Sequence, residues 1–177
     1  FRRVLFRSLR KKYLWSAELY LAGAKESDIR DALRERQIRV EEVDWQKIHL
    51  LGDLGSEKLT DYYNLCDVFC MPSYFEAYGL VFAEALTYGL PCIGRDKFAM
   101  SEFIEDGCTG RLISGEDAEE LALDLWEVLQ DPKYREEVER RREWYLREYS
   151  WDKVAQRICS VMEKNERDKD QYRSAGV

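Results

Sequence analysis

The chain has 177 residues, of which 45% are hydrophobic and 13% aromatic, and this is enough apolar side chain for one well-packed domain. A formal net charge of −7 and an isoelectric point near 5.0 argue against nucleic-acid binding and against a strongly basic membrane-docking face. No apolar stretch is long enough for a signal peptide or a transmembrane segment.

Residues 1–8 are predicted to be an artefact rather than part of the domain. They resemble the translation of a common sequencing-library adapter, and such segments are excluded from fold reasoning. A basic helix or a polybasic anchor is the alternative interpretation. The adapter interpretation predicts that these residues pack on nothing and that the natural start of the protein lies upstream.

Between residues 17 and 113, apolar runs typical of strands alternate with segments of helical periodicity. Strands are predicted at residues 17–22, 47–51, 67–71, 91–94 and 111–113. Helices are predicted at residues 26–37, 56–66, 79–88 and 99–106. This alternation predicts an α/β fold with a Rossmann-like, doubly wound, mostly parallel sheet and right-handed crossovers.

The C-terminal part of the chain has only helical patterns. An apolar stripe runs through residues 116–130, and a second helix with a charged, solvent-exposed face is predicted as far as Tyr149. Ser150 is an N-cap-like residue that begins a third helix. Residues after Lys164 are predicted to form a frayed tail.

Cysteine and histidine usage predicts reduced thiols and no metal site. The single histidine, His49, lies in an apolar stretch, and no two cysteines form a Cys-x-x-Cys pair. Several cysteines lie in strand-like segments, which favours buried thiols over disulfides or zinc. The five cysteines are Cys66, Cys70, Cys92, Cys108 and Cys159.

One junction between a strand and a helix has the main functional signal. From Glu76 to Glu84 the sequence reads Glu-Ala-Tyr-Gly-Leu-Val-Phe-Ala-Glu. A helix that begins near Gly79 directs the unpaired amides of Gly79, Leu80 and Val81 outward, with the positive end of the helix dipole behind them, and this arrangement suits a phosphate. Glu84 can accept two hydrogen bonds from a vicinal diol such as a ribose. A diphosphate between a ribose and a second hydroxylated ring is a nucleotide sugar.

A second interpretation of Glu84 stays open at this point. At about 100° per residue, Glu84 lies nearly opposite the apolar arc of its helix and can simply face water. The neighbouring loops favour a site, because Asp53 and Leu54 follow one predicted strand and residues 74–78 follow another. Ligands of open α/β sheets bind at the carboxyl ends of strands, so we expect these loops to converge on one crevice.

Several motifs follow one another in a characteristic order. They are the Tyr-Tyr-Asn-Leu-Cys-Asp-Val approach to a strand, the two spaced glutamates, Gly-Leu-Pro, and a glutamate followed by Asp-Gly and Thr-Gly. Residues 71–113 thereby resemble the donor-binding core of retaining glycosyltransferases of family four, which have the GT-B fold. The resemblance extends from about Ala17 to Met162. It implies a nucleotide-sugar (donor) domain at residues 9–149, a C-terminal helix and tail at residues 150–177, and an absent N-terminal acceptor domain.

The resemblance also implies a role for each matched residue. Glu76 contacts the transferred sugar near the anomeric centre and is the catalytic residue. Glu84 binds the ribose hydroxyls, two helix amides hold the diphosphate, and the backbone after the second strand contacts the nucleobase. No cofactor or metal is implied, and the donor is a UDP-, GDP- or ADP-sugar. The nucleotide-sugar-binding set is Asp53, Leu54, Tyr78, Gly79, Leu80, Val81 and Glu84.

The chain departs from the family pattern in two places. Phe98-Ala99 replaces a Gly-Gly pair that many members have a few residues before the glutamate matching Glu102. The first strand of the donor domain, with its basic residues, is expected to be missing together with the acceptor domain. Without that positive charge the leaving diphosphate is poorly stabilised, so the fragment is expected to be inactive.

The expected function of the intact protein is transfer of a hexose-like sugar from a nucleoside-diphosphate sugar to a hydroxyl acceptor, with retention and without a metal. A GT-B nucleotide-sugar epimerase is one alternative, and a non-catalytic nucleotide-sugar-binding or scaffold domain is another. Cytoplasmic localisation is expected because nucleotide sugars are cytosolic. Peripheral association of the intact protein with the inner membrane face stays open.

Overall fold

In the computed structural model, strands and helices alternate along the first two thirds of the chain. Residues 17–35, 37–39, 44–115 and 117–174 are described, with side chains as far as Lys164. The predicted adapter segment, residues 1–8, lies outside the described residues. The strands are β1 (Leu19–Ala22), β2 (Ile48–Gly52), β3 (Phe69–Cys70), β4 (Cys92–Arg95) and β5 (Gly110–Ile113).

Four helices separate the strands or follow them closely, and three more form the C-terminal part. The helices are α1 (Glu26–Glu35), α2 (Ser56–Leu65), α3 (Leu80–Thr87), α4 (Met100–Phe103), α5 (Ala118–Gln130), α6 (Lys133–Glu148) and α7 (Trp151–Ser174). A short 3-10 turn, Trp45–Lys47, precedes β2. The predicted order of elements is therefore confirmed, and their ends differ from the prediction by a few residues.

The strands pair in parallel, which confirms the predicted fold class, but they form two sheets rather than one. β1 pairs with β2, and β3, β4 and β5 pair in that order. All four residues of β4 are buried, as is typical of a parallel strand with neighbours on both sides and helices on both faces. Between the two sheets, no strand pairing is present in the described part of the chain.

Helices cover both faces of the sheets. On β4, Cys92 packs in a cluster with α3, α4 and α6, whereas the next residue, Ile93, packs in a cluster with α5. On β1, Leu21 packs against α1, whereas the ring of Tyr20 lies 5.6 Å from that of Tyr62 on α2. Successive strand residues point to opposite faces, so the helices divide between two sides and the fold is doubly wound.

The C-terminal helices differ from their predictions in two respects. Helix α6 has charged exposed residues, but it also buries Tyr134, Val138 and Tyr145. Its Arg142 Nε donates a hydrogen bond of 2.8 Å to the carbonyl of Thr87 at the end of α3. The helix therefore packs against the three-stranded sheet and is not only a solvated surface.

Helix α7 begins as predicted and ends later than predicted. The hydroxyl of Ser150 accepts a hydrogen bond of 3.2 Å from the amide of Lys153, which is an N-cap interaction. The helix then continues past Lys164, where the sequence predicts a frayed tail, to Ser174. Half of residues 165–174 are Glu, Lys, Arg or Gln, which are good helix formers. The helix therefore continues through this segment although the segment is polar. Throughout the described helices, none combines the length and apolar content that crossing a bilayer requires.

Gly110, the first residue of β5, lies directly against the backbone of β4. It pairs with Cys92 across the two strands, and a Cβ atom added to Gly110 would lie 1.8 Å from the Cys92 carbonyl oxygen. Backbone atoms on a central strand cannot move aside as a flexible side chain can. Glycine is therefore required at this position.

We expect Gly110→Ala to lower the free energy of unfolding by at least about 3 kcal/mol, because the added methyl group overlaps backbone atoms in a packed sheet. Gly55→Ala is the matched control, since a Cβ added there meets no atom within 4 Å, and it should cost less than about 1 kcal/mol. Urea unfolding followed by circular dichroism measures both. Similar losses for the two variants would contradict this account of the β4–β5 contact.

Candidate functional site

The N-terminus of α3 is the centre of the candidate site. Gly79 precedes the helix with a φ of 80°, a left-handed conformation that favours glycine. A Cβ added to Gly79 would lie 3.0 Å from the ring of Phe82 and 3.3 Å from Glu76, so the turn is also closely packed. The first helix-type hydrogen bond runs from the Phe82 amide to the Gly79 carbonyl, at 2.9 Å.

Two amides at this helix start are available to a ligand. Among the hydrogen bonds of the described residues, none is donated by the backbone amide of Leu80 or of Val81. The side chain of Leu80 is 55% exposed, and that of Val81 is half-buried. Unpaired amides at the positive end of a helix dipole attract an anion, and an oxygen-rich group such as a phosphate suits them.

Glu76 lies beside these amides. Its Oε1 atom accepts a hydrogen bond of 3.0 Å from the amide of Gly79, and its side chain is half-buried. The carboxylate thus closes the turn before α3. A carboxylate has further acceptor positions, so Glu76 can also bind a donor group of a ligand.

The side chain of Glu84 is exposed, but its carboxylate contacts helix α2. Its Oε2 atom accepts a hydrogen bond of 3.2 Å from the hydroxyl of Tyr63 on α2. Tyr63 is 6% exposed, and its ring stacks on that of Tyr88, with ring centroids 5.3 Å apart. Burial, followed by the negative charge of Glu84, raises the pKa of Tyr63 well above its ordinary value. The hydroxyl therefore keeps its proton and orients the Glu84 carboxylate towards α2.

Tyr63 is the residue whose role the sequence did not indicate. It belongs to the Tyr-Tyr-Asn-Leu-Cys-Asp-Val motif, which pointed to the fold and not to a contact with Glu84. The signal in the sequence is weak, because a buried tyrosine on an amphipathic helix is ordinarily a packing residue. Only the packing of α2 against α3 brings the hydroxyl to the carboxylate.

The other predicted site residues lie on two loops, one directly after β2 and one directly before α3. Asp53 is exposed and Leu54 half-buried, and both follow β2 directly. Tyr78 is 53% exposed, and its ring packs edge-on against Phe103, with centroids 5.7 Å apart. Within the described residues, no hydrogen bond, ion pair or ring contact joins Asp53 or Leu54 to Glu76 or Glu84. The hydrogen bonds therefore define two separate groups: Glu76 with Gly79, and Glu84 with Tyr63.

The loop after β4 is the one that departs from the family pattern. Phe98 stands where many members have glycine, and it has a φ of 56°, in the left-handed region. Its ring is 54% exposed and meets that of Phe75, itself 71% exposed, in an edge-on contact with centroids 5.2 Å apart. The substitution therefore leaves a glycine-like backbone in place and adds an exposed aromatic pair beside Glu76.

A buried arginine connects the loop after β3 with the loop after β5. Arg95, at the end of β4, is 1% exposed, and its guanidinium lies 4.6 Å from the ring centroid of Tyr74. Its Nη1 atom donates a hydrogen bond of 2.6 Å to the carbonyl of Gly115. The loop after β3, which contains Glu76, is thereby attached to the loop after β5.

Two substitutions distinguish the backbone strain at Phe98 from the stabilisation that its ring provides through contact with Phe75. Phe98→Ala and Phe98→Gly both remove the contact with Phe75, but only glycine also relieves the left-handed backbone. We expect Phe98→Gly to be more stable than Phe98→Ala by about 1 kcal/mol, measured by urea unfolding. Equal stabilities, or a more stable alanine variant, would show that the backbone at this position is not strained.

Comparison with known proteins identifies the family. Residues 5–144 match the family described as "Glycosyl transferases group 1". A D-inositol 3-phosphate glycosyltransferase from Kribbella flavida is 32% identical over 98 residues, which are 55% of this chain and 23% of that protein. An uncharacterized glycosyltransferase from Methanocaldococcus jannaschii is 28% identical over 149 residues, 82% of this chain and 37% of that protein. The chain thus spans well under half the length of these relatives.

Solved structures agree with this relationship. A pneumococcal O-GlcNAc transferase, solved in complex with UDP and GlcNAc, has a TM-score of 0.64 and 25% identity over 89% of this chain and 32% of its own. Sucrose-phosphate synthase from Thermosynechococcus elongatus has a TM-score of 0.70 and 22% identity over 95% of this chain and 44% of its own. These neighbours are glycosyltransferases with the GT-B fold. The chain therefore belongs to the group 1 glycosyltransferase family.

Proposed function

We propose that this chain is the donor-binding part of a retaining glycosyltransferase that moves a hexose-like sugar from a nucleoside-diphosphate sugar to a hydroxyl acceptor. The observation that carries the proposal is the start of α3. The backbone amides of Leu80 and Val81 lie there and donate no hydrogen bond within the described residues. Glu76 precedes them and Glu84 follows them, and each carboxylate accepts one hydrogen bond from the protein. These groups match, in order, a sugar, a diphosphate and a ribose.

The diphosphate is assigned to the amides of Leu80 and Val81. A helix start supplies partial positive charge and directed donors without titrating, so its attraction for phosphate persists across the physiological pH range. Developing negative charge on the leaving diphosphate is stabilised by the same groups. Basic side chains in another part of the longer protein supply the remaining positive charge, and the reaction needs no metal. For this reason we expect the chain alone to be inactive.

The ribose is assigned to Glu84. Its carboxylate has two oxygens and about four acceptor positions, of which Tyr63 occupies one on Oε2. The vicinal hydroxyls of a ribose can use the others. Because Tyr63 is buried and keeps its proton, the carboxylate is oriented before the nucleotide arrives, which lowers the entropic cost of binding.

The transferred sugar is assigned to Glu76. Its Oε1 atom already accepts the Gly79 amide, and this bond lowers the nucleophilicity of the carboxylate. We therefore propose that Glu76 positions the sugar and stabilises charge near the anomeric centre, and that it forms no covalent intermediate. The exposed Phe75–Phe98 pair borders this region and contributes apolar surface to it.

The donor nucleotide and the location follow from the same proposal. The pneumococcal O-GlcNAc transferase and the Anabaena protein HepE were both solved in complex with UDP or a UDP-sugar, so uridine nucleotides are the first to test. A second domain of the longer protein binds the acceptor. We propose a cytoplasmic location, where nucleotide sugars are available.

In the complete donor domain, we expect Glu84→Ala to weaken UDP binding by about 1–3 kcal/mol, because the variant loses charge-assisted hydrogen bonds to the ribose. Tyr63→Phe should weaken it less, by about 0.5–1.5 kcal/mol, because the carboxylate remains but is no longer oriented. Isothermal titration calorimetry with UDP, GDP and ADP measures both effects. Asp61→Ala, an exposed change on α2, is the charge-matched control.

Glu76→Ala should leave UDP affinity nearly unchanged and instead depress kcat in the intact enzyme, since its partner is the sugar in the transition state. Equal losses of UDP affinity in Glu76→Ala and Glu84→Ala would refute this division of roles. So would an unchanged affinity in both variants together with a wild-type kcat. Either result would leave the family and the fold unaffected.

A further inference from the structure

The loop between β3 and α3 is anchored on both sides of Glu76. Tyr74, two residues before the glutamate, packs its ring against the guanidinium of Arg95, with 4.6 Å between Cζ and the ring centroid. Tyr78, two residues after the glutamate, packs edge-on against Phe103, with ring centroids 5.7 Å apart. Arg95 is 1% exposed and Phe103 is 5% exposed. Each flanking tyrosine therefore packs on a buried residue.

The arginine is held both by the sheet and by a second loop. Arg95 is the last residue of β4 and pairs with Ile113 of β5. Its amide lies 3.3 Å from the sulfur of Met100, and its Nη1 atom donates a hydrogen bond of 2.6 Å to the Gly115 carbonyl. A guanidinium is planar, so a hydrogen bond from one of its nitrogens also fixes the face that it presents to Tyr74.

Core packing alone does not explain an arginine at this position. The other residues of β4, Cys92, Ile93 and Gly94, are buried and uncharged. Removing a guanidinium from water is unfavourable, and buried charged groups can often be replaced by apolar residues without loss of stability. The ring that Arg95 contacts belongs to Tyr74, which is 50% exposed and adds less to the core than a buried ring does. Placement of the loop explains the contact better.

We propose that Arg95 is a positioning residue for glycosyl transfer: through Tyr74 it fixes the loop that carries Glu76, and thereby the position of that carboxylate relative to the transferred sugar. The inference rests on the proposed function, which assigns the sugar to Glu76. Arg95 itself does not touch the substrate, because its side chain is buried. A misplacement of about 1 Å at a reacting centre can lower the rate about 100-fold, so a small shift of the loop is enough to reduce turnover.

Two contacts together determine where the Glu76 carboxylate lies. The Gly79 amide donates a hydrogen bond of 3.0 Å to its Oε1 atom and so fixes it relative to α3. The contact between Tyr74 and Arg95 fixes the preceding part of the loop relative to β4. Loss of the second contact allows the loop to move and therefore strains or opens the hydrogen bond at Gly79.

Hydrogen exchange in the 177-residue chain tests this coupling without activity. In Tyr74→Leu we expect exchange of the Gly79 amide, measured by NMR, to accelerate about fivefold or more, because its acceptor is on the released loop. Arg95→Met should have the same effect. The amide of Tyr88, at the other end of α3, should change less than about twofold. Unchanged exchange at Gly79, or equal acceleration at Gly79 and Tyr88, would overturn the proposal.

Kinetics of the intact enzyme test the role in the reaction. We expect Tyr74→Leu and Arg95→Met each to lower kcat about tenfold, with UDP affinity and donor KM within about threefold of wild type. Arg95→Lys, which keeps a cation beside the ring, should have an intermediate kcat. A purely structural contact would lower the unfolding temperature and leave kcat of the folded enzyme unchanged, and that result would refute the proposal.

Lys133→Met is the matched control. It removes another contact between a cation and an aromatic ring, in which the Lys133 ammonium lies 4.8 Å from the Tyr134 ring centroid on α6, outside the candidate site. Its kcat should stay within about twofold of wild type. An equal loss of kcat in Lys133→Met and Arg95→Met would overturn the assignment, because the effect would then not depend on the Glu76 loop.

A double variant tests whether Arg95 acts through Tyr74. If it does, Tyr74→Leu combined with Arg95→Met lowers kcat no further than the more impaired single variant, about tenfold. Independent effects would multiply to about 100-fold and would contradict the proposal. Thermal unfolding checks that each variant folds, and Tyr74→Leu, at a half-exposed position, carries the test alone where Arg95→Met does not fold.

Glu76→Ala separates this inference from the proposed function. A wild-type kcat in Glu76→Ala contradicts both, because there is then no role for a residue that positions Glu76. A depressed kcat in Glu76→Ala together with a wild-type kcat in Tyr74→Leu overturns the positioning role alone. Depressed kcat in both variants, with UDP affinity retained, supports it.

Discussion

The candidate site depends on one backbone conformation, the left-handed turn at Gly79. Because φ is 80° there, the backbone turns immediately before α3, and the Gly79 amide donates a hydrogen bond to the Glu76 carboxylate. The same turn leaves the next two amides at the start of the helix with no carbonyl behind them. Phe82 fills the space where a Cβ atom would be, so packing maintains the conformation that the hydrogen bond favours. A glutamate, a turn and a helix start thus act as one unit.

A second constraint links this unit to the other sheet. Helix α2 contacts β1 through Tyr62 and contacts Glu84 through Tyr63, so adjacent residues of one helix face the two halves of the molecule. The ring of Tyr63 is held between Tyr88 and Phe69, and this packing leaves its hydroxyl few orientations. The direction of the Glu84 carboxylate is therefore set by aromatic packing on α2 and not by the helix that contains it.

Part of this arrangement could be predicted from the sequence, for identifiable reasons. Element order follows from hydrophobic periodicity, and the start of α3 follows from a glycine between two apolar segments; both are local signals. The Tyr63–Glu84 hydrogen bond joins residues 21 positions apart on different helices, and no local pattern encodes such a contact. The end of α7 was also missed, because a polar composition is compatible with both a helix and a tail.

The separation of the sheets could not be predicted from the order of elements either, because the same order along the chain is compatible with one sheet or with two. Whether β1 and β3 pair depends on how close their edges lie in three dimensions, and the order of elements does not specify that distance. Val81 connects this property to the site, since it lines the cavity between β1 and β3 and its amide stands at the start of α3. The cavity between the sheets and the helix start that is proposed to bind the diphosphate therefore share one residue, and a change in the packing of Val81 would be felt at both.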